Sequence, residues 1–274
     1  MGHRDVLAAT LRREQRAVTW IFPLPTWLSM VVAVVVMGGG AAALHRLLNR
    51  RGWRGFREHN DIVGFILTVV GAIYAVVLGF VAVIVWQQYE TSRETEQREI
   101  NSLSALYELA NAYPQRPRAQ LQTLIVAYVN RVVQDEWPAM RRGKDDPGTD
   151  AAARRLGAFA VELQRGATDN VASETLALAR RIADARAQRL QDNQNGIPVV
   201  LWIALIAGAV ITIGFGYLFG IENERLHALA TACIAGIVAI MLVLIARLDF
   251  PYRGDTGIPP TDWQVALRSM PPPR

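Results

Sequence analysis

Charged side chains vanish from four stretches of this chain and are ordinary elsewhere. The first stretch runs 27–48, with no acid and with no base before His45 and Arg46; the second runs 62–86 without a charge. The third covers 198–219 and the fourth 226–246. At about 1.5 Å per residue each reaches across roughly 30 Å, the thickness of the hydrocarbon core. Backbone amides in hydrocarbon must be paired within their own segment, so the four runs predict four transmembrane helices. Trp27, Trp86, Trp202 and Tyr217 lie near the ends of the runs, where amphipathic rings favour the interface. Ala41-Ala42-Ala43 offers small residues for signal cleavage, but the apolar run is too long and starts too late for a signal peptide. A retained helix is expected.

The segment between the second and third runs, 87–196, shows helical spacing and no strand period. Between Trp86 and Pro114 there is neither Pro nor Gly, so the second membrane helix is expected to continue into a polar extension. A further helix is expected from Pro117 to Trp137-Pro138, with Leu121, Leu124, Ile125, Tyr128, Val132 and Val133 on one face. A weaker helix carries Leu156, Phe159 and Leu163, and another spans 173–193 before a hinge at Gly196-Ile197-Pro198. The fold class that follows is all-α and integral membrane. Four transmembrane helices form two hairpins, with a helical insert between helices 2 and 3. Residues 1–26 read as a basic amphipathic N-terminal segment suited to an anionic leaflet, or as a frayed terminus. Residues 247–274 form a Pro/Gly-rich C-terminal tail, with a short helix at 262–270.

Composition agrees: 51% of residues are hydrophobic and only 19% charged, against about 25% charged in soluble domains. The net charge of +5 does not point to nucleic acid, because the arginines flank the apolar runs as topology signals. Their larger set (Arg12, Arg13, Arg16, Arg93, Arg98, Arg180, Arg181, Arg186, Arg189 and Arg253) places termini and insert in the cytoplasm, and the single lysine among many Arg, Ala and Val residues suggests a GC-rich bacterial genome, hence a bacterial inner membrane. Arg50, Arg51, Arg54 and Arg57 in the first loop argue the other way. A single cysteine, Cys233, excludes an intrachain disulfide and a thiolate zinc site. No phosphate loop, GxSxG, HExxH or Cys/His nucleophile arrangement occurs, so neither enzyme chemistry nor a cofactor is expected.

Two groups of residues are candidates for function. On the second helix Gly64, Gly71, Ala75 and Gly79 share a face that lets another helix approach closely. Close packing within the monomer and contact around a pore axis both fit that spacing. Phe65, Thr68 and Phe80 are candidate pore-ring positions, with lipid-facing or core packing as the alternative. No ionisable residue lies deep in any run, which argues against a proton-coupled transporter but not against a pore gated by apolar rings. At one membrane end His59, Asp61 and His227 are candidates for a metal or ion-entry site, with acids placed at helix N-termini, Asp61 as a cap, as the commoner reading of such a group. At the other, Arg93, Arg98, Arg186 and Arg189 form either an anion-concentrating funnel or a salt-bridge lattice with Glu90, Glu94, Glu96 and Asp184. No spacing among the histidines matches a metal site.

HNDIVGFILTVVGAIYAVVLGFVAVIVWQQYE (His59 to Glu90), DEWPAM (Asp135 to Met140), FGYLFG (Phe215 to Gly220) and LDFPYRG (Leu248 to Gly254) resemble the bacterial bestrophin-like domain family. That resemblance implies likeness to bestrophins, which are pentameric anion channels with four membrane helices and cytoplasmic termini, their second helices lining the pore. Phe65 through Phe80 would correspond loosely to the apolar pore rings, and the acidic calcium clasp of animal bestrophins has no counterpart here. The expectation is therefore a homo-oligomeric ion channel, anion-selective, with membrane lipid and an inorganic anion as partners. The alternative is a non-conducting scaffold or sensor that binds a partner through its cytoplasmic helices.

Overall fold

The structure is a computed structural model that describes residues 22–52, 59–166, 169–220 and 223–271. Most of the basic N-terminal segment, with Arg4, Arg12, Arg13 and Arg16, lies outside the described residues, as do Arg54, Arg57 and Glu58 of the first loop and Glu222 of the second. Helices in chain order are α1 (Thr26–Arg50), α2 (Asn60–Leu109), α3 (Gln115–Arg131), α4 (Trp137–Arg141), α5 (Pro147–Gly166), α6 (Asn170–Gln194), α7 (Val199–Gly216), α8 (Glu224–Leu248) and α9 (Thr261–Ser269). No strand occurs among the described residues. Four helical stretches are long and apolar enough to cross a membrane; they contain the first, second and fourth apolar runs whole and the third as far as Gly216, where its helix ends three residues short of the expected 219. At about 1.5 Å per residue, the 50 residues of α2 exceed twice the hydrocarbon thickness. The helix continues unbroken through a polar second half to Leu109, as the lack of Pro and Gly predicts.

The chain divides into two compact units. The first holds α1, α2 as far as Gln87, α7 and α8. Antiparallel α1 and α8 pack closely because glycines face each other's helix. A β-carbon at Gly38 would sit 3.1 Å from the Ala232 carbonyl oxygen, and one at Gly236 would sit 3.4 Å from Val34. The Tyr74 ring of α2 lies flat on the backbone at Gly208 of α7, and its hydroxyl donates to the Leu205 carbonyl at 3.0 Å. In the last turn of α8 the buried Arg247 guanidinium donates to the Leu24 carbonyl at 2.6 Å and to Ser29 Oγ at 3.0 Å. One residue past that helix, the buried Asp249 carboxylate accepts the Ile197 amide at 2.6 Å and the Trp202 indole N–H at 3.4 Å.

The second unit holds 88–196 together with 250–274. From the sequence, the insert and the tail read as separate segments; here Tyr252, Ile258, Trp263 and Ala266 share one core with Leu103, Leu121, Tyr128, Trp137 and Leu156. The expected helix ending at Trp137-Pro138 instead runs through it. A π turn at Val132–Glu136 separates α3 from α4, and Pro138 falls in the first turn of α4. The wider turn relieves the clash between a proline ring and the carbonyl four residues back. Helix α6 starts at Asp169, whose carboxylate accepts the Ala172 amide at 2.7 Å.

Candidate functional site

Helix α2 buries Tyr74, Leu78, Val81 and Val85, spaced four, three and four apart, against Leu205, Ala209, Val238 and Ile245. That seam turns the candidate face outward. Phe65 is 71% and Phe80 66% exposed, Thr68, Ala75 and Gly79 are exposed, and Gly71 is half-exposed. β-Carbons added at Gly71 or Gly79 would meet nothing within 4 Å. Only Gly64, nearer the helix start, touches its own chain, with Phe219 3.6 Å from an added β-carbon. Thr68 spends its hydroxyl proton on the Gly64 carbonyl at 2.9 Å, as buried or lipid-facing threonines in helices do. The face therefore presents apolar rings and bare backbone to whatever surrounds the chain.

Of the three residues named for ion entry at this end, the structure sets His227 apart. His59 and Asp61 are exposed, and between them Asn60 makes a reciprocal pair with the Gly220 backbone, 3.2 and 3.0 Å. His227 is buried. Its Nε2 lies 2.8 Å from the Gly216 carbonyl, which only accepts, so that nitrogen carries the proton. Its ring tilts against His45 at 4.1 Å between centroids, and His45 stacks on Tyr217 at 6.3 Å. No group of three or more residues that would hold a metal occurs among the described residues.

In the second unit the arginines divide. Arg189 is fully buried and fork-bonded: Nε and Nη2 reach Glu99 at 2.8 and 3.2 Å, and Nη2 reaches Glu136 at 2.9 Å. Arg186 binds the other Glu136 oxygen at 2.6 Å and Asp150 at 3.1 Å. Burial by itself disfavours the guanidinium charge, but the carboxylates of Glu99 and Glu136 outweigh it and hold Arg189 protonated, its pKa well above the usual. Trp137 and Trp263 lie beside the same guanidinium at 5.4 and 5.3 Å. Burial, and then the Glu99 charge, push the Tyr128 phenol well above its ordinary range, so it remains a donor to Glu99. Arg186 and Arg189 thus sit in a salt-bridge lattice whose acids are Glu99, Glu136 and Asp150, not the Glu90, Glu94, Glu96 and Asp184 that sequence reading assigns to it. Arg93 and Arg98 stay exposed on α2, without an ion pair among the described residues; Arg98 donates to Thr95 Oγ1 at 2.8 Å.

Glu96 is a different case. It is 3% exposed, its Oε1 has no hydrogen-bond partner among the described residues, and it lines a cleft of about 370 Å³ with Glu90, Arg93 and Asp262. Burial raises its pKa to about 8, with Arg189 opposing and Asp262 and Glu99 adding to the rise. Sequence reading groups Glu96 with the salt-bridge acids and passes over Glu99 and Glu136. The available signal was DEWPAM, which contains Glu136.

Comparison with solved structures finds the same fold. A bacterial bestrophin homolog from Klebsiella pneumoniae, solved by zinc phasing, superposes with a TM-score of 0.66 at 11% identity, covering 89% of this chain and 96% of that one. A leucine-to-threonine mutant of that homolog gives 0.66 at 10% identity, covering 89% and 97%. A tyrosine-to-alanine mutant gives 0.65 at 11%, covering 88% and 96%. Comparison with curated proteins finds no match. The bestrophin-like domain model matches residues 31–262, from the second turn of α1 into α9. Four apolar helices, a second helix with a long polar extension and a C-terminal segment built into the core of the second unit are thus the form taken here by a member of the bestrophin-like domain family.

Proposed function

We propose that this chain is one subunit of a homo-oligomeric, anion-selective ion channel in which α2 lies nearest the axis. The supporting observation is the uncharged face of α2, where Ala75 and Gly79 are exposed and β-carbons at Gly71 and Gly79 would meet nothing within 4 Å among the described residues. Small residues gain little from lipid tails and much from a second helix at close range. In a ring of copies, Phe65 and Phe80 form apolar constrictions of the kind that gate by dewetting. No carboxylate on 62–86 repels an anion, and Arg93 and Arg98 remain exposed on the same helix to draw one toward the mouth. Membership in the bestrophin-like family and the likeness to the Klebsiella homolog support this reading. The arginine distribution adds a side to it, with the larger set of flanking arginines favouring cytoplasmic termini and insert, in the two-hairpin, bacterial inner-membrane arrangement we propose.

Purified protein in planar bilayers is expected to carry chloride current, reduced at least tenfold by Gly71→Trp or Gly79→Trp. Properly assembled but electrically silent protein overturns the proposal. Mass measurement in detergent separates it from the scaffold reading: a stable pentamer supports the channel, a monomer the scaffold.

A further inference from the structure

We propose that the cavity between the C-terminal end of α1 and the N-terminal end of α8 binds a phosphate-bearing anion, with the phosphodiester headgroup of an anionic lipid as its occupant. The cavity measures about 750 Å³, within the range of small-ligand sites. The register of the two helices explains it. Gly38 meets Ala232 and Val34 meets Gly236, so going outward along the same antiparallel register Ala42 comes opposite Ala228. Three alanines, at 42, 228 and 232, line the deeper part, where larger side chains would close the gap. Farther out the same walls carry Arg46, Arg50 and Arg225.

These three arginines are exposed, and none has an ion pair among the described residues. Among the described residues Glu224 is the one acid in the lining, against three guanidinium groups. His45 also lines it; the ring is buried, and its Nε2 has no hydrogen-bond partner among the described residues. An unpaired guanidinium trio beside an apolar floor fits a group that is anionic at one end and hydrocarbon at the other. The position fits as well. The cavity opens where the uncharged runs of α1 and α8 end, which is headgroup depth. Guanidinium groups fork onto phosphate oxygens in two-bond pairs. A free phosphate ion would satisfy the same arginines but leave the alanine-lined part empty. The proposal does not depend on conduction.

The test is native mass spectrometry of the full-length protein in detergent, titrated with dioleoyl phosphatidylglycerol, dioleoyl phosphatidylcholine or sodium phosphate. The wild-type protein is expected to retain phosphatidylglycerol roughly tenfold more tightly than phosphatidylcholine, the scale of a net excess of one to two arginines near a membrane surface. The R46Q/R50Q/R225Q variant is expected to lose that preference. Ala42→Leu is expected to lose it too while keeping every charge, which separates a cavity from general attraction to a basic surface. Displacement of phosphatidylglycerol by millimolar phosphate supports the phosphate site with a soluble ion as an alternative source. Equal retention of both lipids by the wild type, or a preference that survives in both variants, overturns the proposal.

Discussion

Arg189 exposes no surface at all, and a guanidinium in that position is tolerable only while both carboxylates stay with it. Removing one partner of such a buried pair leaves an uncompensated charge and costs about 3–5 kcal/mol. Arg189→Met is therefore expected to lower the unfolding free energy of detergent-solubilised protein by that order, and Arg189→Lys by nearly as much, since an ammonium does not fork to Glu99 and Glu136 together. Restoring neutrality with Glu99→Gln in the Arg189→Met background is expected to recover part of the loss, read from denaturant midpoints. Glu96 gives a pH signature. Its pKa is near 8 in the fold against 4.5 for the free side chain, so the folded state holds a proton that the unfolded state has released. Its contribution is complete below pH 4.5, falls as pH rises through the window and is gone above about 8. The advantage of Glu96→Gln over wild type in melting temperature should accordingly grow from pH 5 to pH 8; a constant difference rules the assignment out. None of this was legible from spacing. Glu99, Glu136 and Arg189 come from three helices, and an acid destined for burial looks like any other acid on a polar helix.

At the scale of single helices, glycines with identical sequence signals separate by what stands opposite them. A β-carbon at Gly257 would sit 2.8 Å from the Tyr252 backbone and 2.9 Å from the Arg253 carbonyl oxygen. Backbone does not step aside, so Gly257→Ala is expected to cost about 1–3 kcal/mol and to speed proteolysis of the α9 segment. Gly71→Ala and Gly79→Ala enter open space within the chain, and in an isolated subunit alanine should stabilise the helix by up to about 1 kcal/mol. Destabilisation of the assembled protein by those two changes, measured as loss of the oligomer on dilution in detergent, would show that another helix covers the face. The four apolar runs were readable because hydrocarbon leaves no alternative to a helix. The π turn before Pro138 was not, because it depends on how a helix adjusts around a ring rather than on any pattern of polarity.

For the molecule as a whole, the segment after residue 249 is structural. Trp263 is fully buried between Tyr128 and Trp137, and the Trp137 indole N–H donates to the Ile258 carbonyl at 3.1 Å. Deleting residues 258–274 is expected to leave the apolar half inserted in the membrane while the polar half becomes protease-sensitive; an unchanged digestion pattern would refute this. Proline and glycine made that tail look like a loose end, and its aromatic residues were the only contrary sign. The two units are joined by three chain crossings, at 87/88, 196/197 and 249/250. Asp249 stands at the last of these and grips the amide of Ile197, the first residue after the second. Within the first unit, one carboxylate thus closes the point where the chain arrives onto the point where it leaves. Asp249→Asn replaces one carboxylate oxygen with an amide group that cannot accept, and is expected to loosen that closure and lower the melting temperature of the detergent-solubilised protein.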